Sequence, residues 1–149
     1  NNAGLSAQSR TTVYVGTNGT TNQPLTVVSP NGGEIWKRGT QQAITWGTQN
    51  GAYPYYSNYP NTTGYVRITL DYRCQAGVYC SSLYRPPYVI QSNAPNSGSS
   101  TWYVGTATLD GSNAVSVPSG TYVVTVCRYD GSNQPAGCDS SDSAFTVSD

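Results

Sequence analysis

The chain contains no histidine and no methionine, one phenylalanine and one glutamate, and only 9% of its residues are charged. Each shortage removes a class of function. Without histidine, the usual partner of a serine or cysteine nucleophile is missing, and so is the commonest general base near neutral pH. A glycosidase needs two opposed carboxylates, and the candidates are Glu34, Asp71, Asp110, Asp130, Asp139, Asp142 and Asp149, most of them in turn-forming contexts. Seven basic residues balance seven acidic ones. That leaves no electrostatic footprint for nucleic acid or for an anionic membrane surface. There is no membrane-spanning run, no signal peptide and no window of helical apolar spacing. Residue 1 is expected to be a processed end. The expectation is a protein that is not an enzyme, uses no cofactor, binds no nucleic acid and does not insert directly into a membrane.

What is abundant is Thr, Ser, Asn, Gly and Tyr, with 16 glycines and 13 tyrosines in 149 residues. This is the profile of an all-β extracellular protein, long enough for one domain plus an arm and too short for two sandwiches of ordinary size. Four cysteines point to the same compartment. Cys74 and Cys80 flank one short segment and Cys127 and Cys138 another, as local disulfides would, although three connectivities are formally possible. The spacing favours 74–80 with 127–138. A four-cysteine zinc site is the rival, but no CxxC spacing is present. Disulfides imply an oxidising environment, hence a secreted or cell-surface protein.

Along the chain, residues 1–24 form an arm: one β-prone run, Thr11-Thr12-Val13-Tyr14-Val15, followed by a flexible polar linker over 16–24. The domain proper spans 25–149. Strands are expected at 25–28, 41–46, 64–73, near 88–90, around 101–104, at 121–128 and at 144–147, with a turn at Pro30-Asn31-Gly32-Gly33 and a long Tyr-rich loop at 48–63. The face carrying Val66, Ile68, Leu70 and Tyr72 should be buried. Seven or eight short strands separated by turns predict a two-sheet antiparallel β-sandwich of immunoglobulin-like type. Asp110-Gly111-Ser112-Asn113 and Asp130-Gly131-Ser132-Asn133 repeat one tetrapeptide; an Asp-Gly step between β-prone runs reads as a tight turn rather than a calcium loop, because no EF-hand-like ligand spacing follows.

Several linked motifs carry a resemblance. Ser29-Pro30-Asn31-Gly32-Gly33-Glu34-Ile35-Trp36 leads into Ala43-Ile44-Thr45-Trp46. Trp102 precedes Val104-Gly105, Pro118-Ser119-Gly120-Thr121-Tyr122 leads into Val124-Thr125-Val126-Cys127, and Cys138-Asp139-Ser140-Ser141-Asp142-Ser143 precedes Ala144-Phe145-Thr146-Val147. In this order, over 25–148, they resemble the immunoglobulin-like domain of the Ser/Thr-rich, yeast cell-wall-synthesis type, and more closely its bacterial surface-protein relatives. The resemblance implies an extracellular, non-catalytic module. It is silent on the arm and on the aromatic 53–59 segment. Glu34 is expected to accept hydrogen bonds from turn backbone amides.

Two features bear on partners. Tyr55, Tyr56 and Tyr59, with Tyr53, Tyr79, Tyr84 and Tyr88, supply amphipathic rings suited to a subunit contact, to sugar stacking or to packing over a long loop. The run Thr11–Val15 reads as a strand built to complete a sandwich, with Val13 and Val15 opposite Tyr14. Moreover, Thr12-Val13-Tyr14-Val15-Gly16-Thr17 echoes Thr101-Trp102-Tyr103-Val104-Gly105-Thr106. If each subunit donates its arm to the next, the contact is head-to-tail and builds a filament. The expected function is therefore a self-assembling structural subunit of an extracellular filament or surface layer. A carbohydrate-binding or adhesive module, and a passive spacer of a larger surface protein, are the alternatives. Asn18 and Asn61 begin N-glycosylation acceptor triplets in expected loops, and exposed Ser and Thr would suit O-glycans.

Overall fold

Period-two alternation of β-branched and aromatic side chains runs through the chain, and in the computed structural model it becomes eleven strands among the described residues. Those residues are 25–48, 64–74, 86–111, 113–129 and 133–149. In chain order the strands are β1 (Leu25–Ser29), β2 (Ile35–Lys37), β3 (Gln41–Thr48), β4 (Tyr65–Tyr72), β5 (Tyr88–Pro95), β6 (Ser99–Tyr103), β7 (Thr106–Leu109), β8 (Asn113–Ser116), β9 (Gly120–Tyr129), β10 (Gly137–Ser140) and β11 (Phe145–Ser148). They form two sheets packed face to face. The smaller has the order β1-β3-β6; the larger runs β2-β11-β9-β4-β5-β7-β8, with β10 also beside β9. The protein is an all-β sandwich.

The core is the inner layer of that alternation. Val66, Ile68 and Leu70 of β4 and Val124 and Val126 of β9 are fully buried, facing Val27, Ile44 and Trp46 of the smaller sheet. At roughly 1.5–3 kcal/mol for each large apolar side chain taken out of water, this layer dominates the fold's stability. Trp36, Trp102 and Phe145 close one end of it, with ring centroids 5.1 Å apart for Trp36–Phe145 and 6.1 Å for Trp36–Trp102. The Trp nitrogens find partners: Nε1 of Trp102 donates to the Thr106 carbonyl at 2.6 Å and Nε1 of Trp46 to Asn96 Oδ1 at 2.9 Å. At the start of β9 the hydroxyl of buried Tyr122 donates to the Pro118 carbonyl at 2.8 Å. This is the tyrosine corner that pins the entry of a strand in immunoglobulin-like sandwiches.

The structure departs from the sequence reading in four respects. Tyr72 is 44% exposed, not buried. It ends β4, and its ring lies over Gly120, where an added Cβ would come within 2.8 Å of it, and meets Tyr122 edge-on. Second, β2, β7, β8 and β10, of three or four residues each, raise the strand count above the expected eight. Such runs are too short for alternation to register. Third, the sandwich is not wholly antiparallel, since β2 pairs parallel with β11. The chain changes sheet between β1 and β2, so β2 approaches β11 from the same direction. Fourth, the strand expected at 101–104 begins at Ser99 and stops at Tyr103, and Val104 and Gly105 turn the chain into β7 with Gly105 at φ 98°. The Asp110-Gly111 step is a turn, with φ 55° and 78° in the left-handed region. Residues 130–132 of the second tetrapeptide lie outside the described residues.

Candidate functional site

Most residues singled out from the sequence lie outside the described residues: the donor run Thr11, Thr12, Val13, Tyr14 and Val15, the ring cluster Tyr55, Tyr56 and Tyr59, the acceptor asparagines Asn18 and Asn61, and Cys80. Cys127 and Cys138 are disulfide-bonded, sitting directly opposite each other on β9 and β10. Cys74 is disulfide-bonded as well. Tyr88 does not serve as a surface ring; it packs against the core and meets Tyr122 edge-on.

The Pro30–Glu34 turn is a docking device within the domain. Glu34 Oε1 accepts from the Asn31 N–H and Oε2 from the Gly32 N–H, both at 2.8 Å, as expected for this residue. Partial burial pushes the Glu34 carboxyl up, but backbone N–H donors of Asn31, Glu34 and Gly32 outweigh it and hold the group below the usual glutamate value. Asn31 then clamps the turn before β11: its Nδ2 donates to Asp142 Oδ2 at 3.0 Å and its Oδ1 accepts from the Asp142 N–H at 2.7 Å. Gly32, at φ 132°, lies so close to Ser143 that an added Cβ would overlap it. Two of the sequence motifs therefore meet in space and lock each other.

At the opposite end, Arg38 Nη1 reaches Asp149 Oδ1 at 3.1 Å and Nη2 reaches Ser116 Oγ at 2.6 Å. The Ser119 hydroxyl, followed by Arg38, holds the Asp149 carboxyl below the usual aspartate value. Tyr103, 52% exposed, overhangs an open depression of about 400 Å³ beside them. No group of three or more potential metal ligands occurs among the described residues.

The two edges of the smaller sheet are the feature with interaction chemistry, and they differ. On β1 the Val27 N–H points away from β3 and donates to Asp139 Oδ2 of β10 at 2.7 Å. That carboxylate, reaching across from the larger sheet, occupies the edge. On β6 the bonds Trp46 N–H to Gly98 carbonyl (3.0 Å) and Val104 N–H to Thr40 carbonyl (2.8 Å) fix the phase of the ladder. Even-numbered residues bond to β3, so the N–H and C=O groups of Ser99, Thr101 and Tyr103 point outward. The outward carbonyls of Ser99 and Tyr103 accept from the hydroxyls of Ser97 and Thr106. Among the described residues, no bond is made by the N–H groups of Ser99, Thr101 and Tyr103 or by the Thr101 carbonyl. None of the five β6 residues is charged or a proline, the devices that usually guard an edge.

Sequence reasoning missed both edges. The first rests on Asp139, an acidic residue in a Gly-, Ser- and Asp-rich stretch that reads as a turn rather than a strand; the second is a matter of sheet order, which no local pattern encodes. Comparison with protein-family models, with curated proteins and with solved structures found no match.

Proposed function

We propose that the protein is a self-assembling structural subunit of an extracellular filament or surface layer, in which the N-terminal strand of one subunit completes the sandwich of the next. The observation that carries this reading is the occupied edge of β1. A strand immediately preceding β1 in sequence would most simply extend the sheet beside it, and there the Val27 N–H is already bound by Asp139. The run Thr11–Val15 therefore needs another edge, and an edge on a neighbouring molecule makes the contact head-to-tail and open-ended. The position of β1 fits a string of subunits: Leu25, where the arm joins, pairs with Thr48 at one end of β3, while Gln41 at the other end pairs with Tyr103 near the Arg38 cluster. The disulfides accord with assembly outside the cell. So does the resemblance to bacterial surface-protein modules.

The test compares the full chain with its Val13→Asp/Val15→Asp variant by negative-stain electron microscopy and light scattering. Filaments from the first and monodisperse particles from the second are expected. Equal monomers from both would refute the reading.

A further inference from the structure

Building on that reading, we propose that the outward edge of β6 is the acceptor: Thr11–Val15 of a second copy pairs with Ser99–Tyr103 and adds a fourth strand to the smaller sheet. The described edges narrow the choice. β1 is occupied by Asp139. β2 has three residues, carries Lys37 and is followed by Arg38. β8 ends a ribbon attached to β5 through only Tyr88↔Leu109 and Val89↔Thr108, its Ser116 hydroxyl is held by Arg38, and Pro118 follows. Of these four edges, only β6 combines five residues, no charge and a central residue, Thr101, whose N–H and C=O are both unbonded among the described residues.

The occupant is argued from the chain itself. The donor run has five residues, as does β6. It also repeats β6's own two-sided pattern. In Thr101-Trp102-Tyr103-Val104, Trp102 and Val104 are buried while Thr101 and Tyr103 are exposed. In Thr12-Val13-Tyr14-Val15 the valines fall at the two buried positions and the polar Thr and Tyr at the two exposed ones. A strand with this pattern laid beside β6 turns Val13 and Val15 toward the space between the sheets and leaves Tyr14 beside Tyr103 on the outside. Residues 16–24 span up to about 30 Å when extended. That is ample to leave one molecule at Leu25 and reach the flank of another.

The experiment separates donor from acceptor. Val13→Asp/Val15→Asp spoils the donor alone. Thr101→Pro removes the central outward N–H and fills the edge with a ring; because that N–H does not bond to β3, the substitution sits where an edge strand tolerates proline. Thr101→Lys keeps the N–H and places a charge on the edge, and it decides the matter if the proline variant fails to give a cooperative thermal melt. Each acceptor variant alone is expected to remain monomeric, with the affinity of one subunit for the next lowered roughly tenfold or more, the effect of about 1.4 kcal/mol. Mixing an acceptor variant with the donor variant is expected to give a one-to-one complex that grows no further, since one partner can still donate and the other can still accept. Filaments of undiminished length from both Thr101 variants, with the donor variant still monomeric, would place the acceptor elsewhere while leaving strand donation standing. No complex on mixing would overturn the β6 assignment. A donor variant that assembles like the unaltered chain, or an unaltered chain that stays monomeric, would overturn strand donation itself.

Discussion

The two edges of the smaller sheet flank the same strand and both lack charged residues and proline, yet among the described residues one is guarded and the other is not. Beside β1, Asp139 reaches from β10 to take the Val27 N–H; beside β6, the Thr101 N–H and C=O face outward with no partner among the described residues. An unpaired edge invites association, and sandwiches commonly blunt theirs with charge, proline or a bulge. Here a carboxylate from the other sheet guards one side of a three-stranded sheet, and among the described residues no comparable group guards the other. The contrast shows where addition of a strand would be resisted and where it would be accepted.

The comparison can be broken most severely at Trp102, the inward residue of β6. Trp102→Ala should cost about 3–5 kcal/mol in urea unfolding, because it empties a site that Trp36 and Phe145 share. A loss under about 1 kcal/mol would mean that β6 is not anchored as described. Opening Cys127–Cys138, the bridge that ties β10 to β9, should cost about 2–4 kcal/mol; the Cys127→Ser/Cys138→Ser variant measured beside the parent checks this. Asp139→Ala leaves the Val27 N–H unpaired next to the core and should cost about 1–3 kcal/mol. It should also create a second open edge, visible as off-pathway aggregation by light scattering; a variant as soluble as the parent would show that Asp139 is no guard. The smallest effect concerns Glu34, which lies away from both edges. Its folded carboxyl sits below its unfolded value, so its contribution is present at neutral pH and fades as pH falls through the folded value. Thermal melts should converge for Glu34→Gln and the parent between about pH 6 and about pH 3. Parallel melting curves would remove Glu34 from the account.

The sandwich was legible because its long strands alternate. Tyr65–Tyr72 and Gly120–Tyr129 announce an inner and an outer face residue by residue, and the Pro30–Gly33 turn and the Glu34 carboxylate behave as their chemistry implies. Tyr72 misled because alternation says nothing about where a sheet stops, and a tyrosine can end a strand with its ring half in water. Three-residue β2 and four-residue β10 fall below the length at which a period is detectable. The candidate site was half legible. The donor run and its echo at Thr101–Thr106 are sequence features, but which edge stays open depends on strand order, and that follows from contacts between residues as distant as Val27 and Asp139.

Amide hydrogen exchange at Val27 and Thr101, measured in the unaltered chain and in the Val13→Asp/Val15→Asp variant, tests the central claim most directly. The account predicts that Val27 is protected in both, while Thr101 exchanges fast in the variant and slowly in the assembled chain. Equal exchange at Thr101 in the two samples, whether fast or slow, would contradict it.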